Sequence, residues 1–160
     1  IVFGDWSSDV CSSDLTKRAD RLYDYFSKNP VPSNVWLGVT VENKQQGLPR
    51  IDKLRHIKAS VLFLSIEPLL EDIGEINLEN IDWVIVGGES GNRARPMEKE
   101  WVVNIKQQCD REGIAFFFKQ WGTWGEDRIK RSKKLNGKEL DGKVWQQYPE
   151  IFEQQFEVIL

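Results

Sequence analysis

Ser60-Val-Leu-Phe-Leu-Ser-Ile-Glu-Pro68 is the stretch on which the fold turns. Its apolar residues run on without polar alternation and stop at a glutamate and a proline, as in a strand buried on both faces of a parallel sheet. The same grammar recurs on either side. Val35-Trp-Leu-Gly-Val-Thr-Val41 ends in Glu42-Asn43, Ile81-Asp-Trp-Val-Ile-Val86 in Gly87-Gly-Glu-Ser90, and Ile114-Ala-Phe-Phe-Phe118 in Lys119-Gln-Trp-Gly122. The closing residues Glu42, Glu67, Glu89 and Lys119 are 25, 22 and 30 positions apart. Each interval has room for one strand, one helix and a right-handed crossover.

The intervening segments supply helices. Leu48, Ile51, Leu54 and Ile57 recur at threes within Lys44 to Ile57, with Pro49 assigned to the first turn. Pro96 opens a second helix, Met97 to Glu112, which sets Trp101, Ile105 and Cys109 on one face and ends at Gly113. Upstream, Leu22, Tyr25 and Phe26 have helical spacing until Asn29-Pro30-Val-Pro32 stops the pattern. The result is an α/β chain of three to four βα units. An open doubly wound sheet and part of a (β/α) barrel both fit that pattern.

Residues 1–15 follow no such pattern. Asp5-Trp-Ser-Ser-Asp-Val-Cys-Ser-Ser-Asp-Leu15 reads codon for codon as the translation of a common short-read sequencing adapter. The segment is therefore expected to be non-native and disordered, as a fusion scar would be, with the natural N-terminus lost ahead of Thr16. Removing Asp5, Asp9 and Asp14 from the 25 acids leaves 22, against 22 bases, so the net charge of −3 becomes neutral. Cys11 goes with that segment, and Cys109 stands alone as a structural thiol beside the single His56. No apolar run approaches the roughly 20 residues of a membrane-spanning helix, so a soluble, cytoplasmic protein with no membrane partner is expected.

Ligands of parallel α/β folds bind where strands end and helix N-termini converge. That rim carries Thr40, Glu42, Asn43, Ser65, Glu67, Gly87, Gly88, Glu89, Ser90, Lys119 and Gln120, with Arg93, Arg95 and Trp121 close behind in sequence. Carboxylates with an opposing lysine suit a small polar or nucleotide-like ligand bearing an amine or hydroxyls. Such carboxylates repel one another, and crowding raises a carboxylate pKa, unless a cation, Lys119 or nearby Arg93 and Arg95 compensates. The glycines of Gly87-Gly-Glu-Ser-Gly-Asn-Arg93 admit close backbone approach, but they form neither a phosphate loop nor a dinucleotide fingerprint. Trp121 and Trp124 offer either stacking on a flat ligand or packing.

Beyond Gly122 the composition changes. Arg128 to Lys143 holds seven basic residues and two acidic ones, with tight-turn signals at Asn136-Gly137 and Asp141-Gly142. This reads as a basic hairpin with Leu135, Leu140, Val144 and Trp145 as its apolar contacts, and nucleic acid is a candidate partner for it. The expected organisation is 1–15 non-native, 16–122 partial barrel, 123–149 basic hairpin and 150–160 tail.

Taken together, the blocks Val35 to Asn43, Phe63 to Leu69, Asp82 to Gly91, Arg95-Pro96, Phe118 to Gly122 and Leu140 to Trp145 resemble the bacteriophage gene-product 37 / gene-product 68 family of unknown function. Members of that family resemble radical S-adenosylmethionine enzymes. The resemblance implies the C-terminal part of a (β/α) barrel, with a 4Fe-4S cluster and S-adenosylmethionine as cofactors of the full-length protein. The cysteine cluster that would hold the iron falls in the lost part, so the present chain by itself is expected to be inactive. On this reading Glu42, Glu67, Glu89 and Ser90 position the ligand's amine or ribose, and Lys119 and Gln120 the substrate. Two alternatives stand beside it. One is a non-catalytic phage module that binds nucleic acid or a host protein. The other is a divalent-metal barrel hydrolase or isomerase using the rim carboxylates.

Overall fold

The computed structural model describes residues 12–150. Five strands, β1 (Ser12–Thr16), β2 (Val35–Thr40), β3 (Leu62–Ile66), β4 (Trp83–Gly87) and β5 (Ala115–Gln120), form one parallel sheet in the order β1-β2-β3-β4-β5. Each strand pairs with its predecessor, so the chain winds in one direction with no reversal of strand order. This is an α/β fold with one parallel sheet, in which β1 and β5 are not paired with each other.

Helices α1 (Ala19–Phe26), α2 (Lys44–Leu54) and α3 (Lys99–Glu112) share one face of the sheet. Leu22, Ile51, Leu54, Val102, Ile105 and Cys109 there meet Leu37, Val39, Leu64, Val84, Val86, Phe116 and Phe118 in one buried cluster. α2 sits tightly on the sheet because Gly47 lacks a side chain: a Cβ there would lie 2.4 Å from Val41 Cγ1. Pro49 falls in the second turn of α2 rather than the first, at an exposed position where the missing N–H is tolerated. α3 ends as its sequence dictates, with Gly113 left-handed at φ 70° and its N–H donating to Cys109 O.

The opposite face carries the other half of each strand's alternation. Trp36, Val61, Phe63 and Ile85 are buried there, with Leu15, Trp83 and Phe117 packed against them. Gly38 makes room for the Phe63 ring, since a Cβ would come within 2.4 Å of it. Towards the strands' amino ends this face becomes aromatic, with Trp83 edge-on to Trp36 and Phe117 and tilted against Tyr148. The continuous apolar runs are thus two interleaved faces, as parallel strands buried on both sides require.

Two expectations need correction. Ser12–Leu15, assigned to a disordered segment, instead pairs in register with β2 as the first strand: its backbone meets an otherwise open parallel edge, to which side-chain identity matters little. Residues 1–11 and 151–160, including Cys11 and most of the tail, lie outside the described residues. The basic hairpin also differs in detail. Asp141-Gly142 makes the expected tight turn, both residues at positive φ, between β6 (Glu139–Leu140) and β7 (Lys143–Val144). Asn136-Gly137 instead ends a single helical turn, α4 (Lys133–Asn136), capped by Ser132. Strands of two residues bury little, so Leu140 is inside while Leu135 and Val144 are exposed.

Candidate functional site

The rim carboxylates need compensating cations, and the structure gives each its own, Arg95 and Lys119 as expected and Lys17 and Arg50 besides. Glu42, just past β2, accepts from Arg50 Nη1 of α2 at 2.7 Å and pairs with Lys17, just past β1. Arg50 also donates to Thr40 O at 2.8 Å, which ties this end of β2 to the helix. Burial works to raise the Glu42 pKa, but the hydrogen bonds and charges of Lys17 and Arg50 outweigh it and hold the carboxyl below its ordinary 4.5. Glu89, past β4, takes a fork from Arg95, with Nε and Nη2 donating at 2.9 and 2.8 Å, and accepts the Arg95 backbone N–H at 2.8 Å. These bonds lower it to about 2. Crowding therefore raises neither, because attraction at hydrogen-bond range exceeds repulsion across the rim.

Glu67 has a different setting. β3 is the central strand, and Glu67 follows it on the face away from the helices, continuing the Phe63, Ser65 alternation. Lys119 Nζ donates to its Oε2 at 2.8 Å, and Gln120 Nε2 donates to Oε1 at 3.2 Å. Gly87 on the neighbouring strand leaves space for the carboxylate stem, since a Cβ there would lie 3.2 Å from Glu67 Cδ. Ser13, Leu15, Phe63, Ser65, Ile85, Glu67 and Lys119 together line a cleft of about 10 Å³ of free volume, room for one water. Its floor is apolar and its lip is a partly buried ion pair.

The glycine and tryptophan motifs turn out to serve each other. A Cβ on Gly88 would sit 1.9 Å from Trp121 O, and one on Gly122, at φ 83°, would sit 2.3 Å from Glu89 O. The loops after β4 and β5 touch backbone to backbone there, with Gly88 N–H donating to Gln120 O and Thr123 N–H to Glu89 O, both at 2.9 Å. Trp121, expected at the rim, is 2% exposed and edge-on to Phe118, with Nε1 donating to Glu139 O at 2.7 Å. A ring so enclosed serves as packing rather than as a stacking platform. Trp124 likewise donates to Ala94 O at 2.7 Å.

Among the candidates, the structure brings together Ser65, Glu67, Lys119 and Gln120. Thr40 and Glu42 face Arg50, and Asn43 is spent as the N-cap of α2, accepting from Gln46 N–H at 2.9 Å. Ser90 and Arg93 are exposed on the loop after β4. Sequence reasoning passed over Phe63 and Ile85, which alternation with Ser65 and Gly87 would have placed on the cleft face. It also passed over Lys17 and Arg50, which no short-range pattern links to Glu42. Ser13 and Leu15 fall in the adapter-like segment.

Among the described residues no group of three or more His, Cys, Asp or Glu side chains is arranged to hold a metal ion. The rim glutamates are engaged separately, which disfavours the divalent-metal alternative. Cys109 is buried on the helix side, and burial pushes its thiol up to about 12, so it does not fit an iron-sulfur cluster. No helix among the described residues is long and apolar enough to cross a membrane.

Residues 12–149 match the family model described as "Protein of unknown function (DUF5131)". Neither the curated proteins nor the solved structures contain a match to this chain.

Proposed function

We propose that this chain, which belongs to the DUF5131 family of proteins of unknown function, binds a small polar, nucleotide-like ligand at the carboxyl-terminal mouth of its parallel sheet. The observation that carries this reading is the Glu67, Lys119 and Gln120 group standing over an apolar-floored cleft at the end of the central strand. A partly buried ion pair sustains its charges in place, so each can turn to a ligand's amine or anionic group without being built anew. Ser65 adds a hydroxyl at the same level, and because the cleft beneath has room for one water only, the ligand lies across the mouth and not within it.

The ligand we put forward is S-adenosylmethionine, and the class of chemistry is that of radical S-adenosylmethionine proteins. Support comes from the single winding direction of the sheet and from the resemblance of the strand-end blocks to the phage gene-product family. The described residues do not supply the thiolates of a 4Fe-4S cluster, so the reading covers ligand binding only and no chemical step is assigned. Glu67 would receive the amine, Lys119 and Gln120 the anionic or hydroxyl groups, with Glu42 and Glu89 fixing the rim on either side.

Isothermal titration calorimetry with S-adenosylmethionine, S-adenosylhomocysteine and ATP tests this. Binding of an adenosyl ligand that weakens at least about tenfold in Glu67→Gln and Lys119→Met, a loss near 1.4 kcal/mol, supports it. Silence with all three ligands, or affinities untouched by both substitutions, overturns it.

A further inference from the structure

The basic segment after Gly122 is absorbed by neither the cleft nor the core. Residues 128–138 contain Arg128, Lys130, Arg131, Lys133, Lys134 and Lys138 and no acid, within a chain whose net charge is −3. The structure sorts these cations. Arg131 is committed to Asp127 through a fork at 2.6 and 2.8 Å, and Arg128 is paired with Glu98. Lys130 lies over the Trp124 ring, 4.8 Å from its centroid. Lys133 and Lys134 stand exposed on α4, next to a Leu135 that is 75% exposed.

This segment is not a loose flap. Asn136 Nδ2 donates to Gly122 O at 3.0 Å and to Thr123 O at 2.9 Å, Trp121 donates to Glu139 O, and Lys99 of α3 pairs with Glu126 and Asp141. Trp124 joins it to the loop after β4 through Ala94 O, beside the exposed Arg93. Among the described residues Arg93, Lys130, Lys133 and Lys134 have no carboxylate partner, nor does Lys138, which donates to Gln146 Oε1 at 3.1 Å; the first four follow one pinned surface. It runs from the loop after β4, across Trp124, to α4.

We propose that this stripe is a docking surface for the phosphodiester backbone of a nucleic acid. Charge complementarity selects the partner: exposed lysines and an arginine on a fixed surface complement a row of phosphates, and release of the counterions condensed on that row drives association. Arg131 and Arg128 are neutralised by Asp127 and Glu98, while the exposed Lys133 and Lys134 are left positive. Such contacts carry no base-reading hydrogen bonds, so the binding is expected to be indifferent to sequence.

Fluorescence anisotropy with labelled single-stranded RNA, single-stranded DNA and duplex DNA, measured across a salt series, tests this. Affinity should fall linearly with the logarithm of salt concentration. In the Lys133→Gln, Lys134→Gln double variant the slope should shrink by about 1.8 on duplex DNA or about 1.4 on single strands, two phosphate contacts' worth. Arg93→Gln, at the other end of the stripe, should remove about half that amount. Lys28→Gln, an exposed lysine on the far side of the sequence, should change nothing. Both lysines of the double variant are exposed, so unchanged thermal melts will confirm that it folds. Overlaid isotherms for the parent and the stripe variants overturn the proposal. So does binding to vesicles containing anionic lipid with no binding to any oligonucleotide, which would assign the stripe to a membrane surface instead.

Discussion

Gly88 shows how much of a motif can be spent on packing. Its missing side chain is the contact surface for the Trp121 carbonyl, so Gly88→Ala must separate the two loops that frame the cleft. The expected cost is about 3 kcal/mol, at the upper end for a single substitution, read from urea unfolding. Gly91 makes the contrast. Nothing lies within 4 Å of the Cβ it lacks, and only its φ of 120° resists substitution, so Gly91→Ala should cost about 1 kcal/mol. At Glu89 the prediction concerns pH. Arg95 depresses its pKa to about 2 from the usual 4.5. The charged form is the one the fold favours, so its contribution is complete above about pH 4.5 and disappears as pH falls towards 2. The pair is largely exposed, which keeps the effect within the roughly 0.2 to 1 kcal/mol of surface ion pairs. Thermal melts of the parent should therefore lose that increment through this window, and those of Glu89→Gln should not.

At the scale of elements, α3 does more than cover the sheet. Gln108 is 1% exposed and reaches across to the connection between β3 and β4. Its Oε1 accepts Ile76 N–H at 2.8 Å, and its Nε2 donates to Gly74 O at 2.8 Å. One side chain thereby satisfies a buried donor and a carbonyl of a segment with no secondary structure of its own. Gln108→Ala should orphan both and cost about 2 to 6 kcal/mol, allowing 1 to 3 for each stranded group. Hydrogen exchange should localise the loss to the amide of Ile76. From sequence, Gln108 looks like one more polar residue of an amphipathic helix. The helix itself was legible from its apolar spacing and its glycine stop, whereas the partner of Gln108 lies 32 and 34 positions away and follows no periodicity.

Over the whole molecule, the chain closes one edge of its own sheet. β5 is closed by the chain's own later segment, with Phe118 N–H donating to Trp145 O at 2.8 Å and Gln147 N–H to Phe116 O at 3.0 Å. The Gln147 side chain returns a bond to Phe116 N–H, and Trp83 Nε1 holds the Gln147 carbonyl. Gln147→Pro removes the ladder donor and that side-chain acceptor together. It should lower exchange protection at Phe116 and Phe118 by at least about tenfold and raise the tendency to associate through the bared edge. By itself the sequence determined β2 to β5, their ends to within two residues, the helices between β2 and β3 and between β4 and β5, and burial of the strands on both faces, because these are properties of local spacing and composition; it did not show β1. It determined too that Asp141-Gly142 turns tightly, since a two-residue turn is chemistry between neighbours. Only the tertiary structure decided that Glu42 and Glu89 are locked to separate cations while Glu67 keeps Lys119 at the cleft, and that Gly88 and Gly122 face each other instead of a ligand. Those outcomes depend on which loops the parallel sheet brings to the same end, and that pairing is set by cooperative packing of distant segments, which the order of residues along the chain does not display.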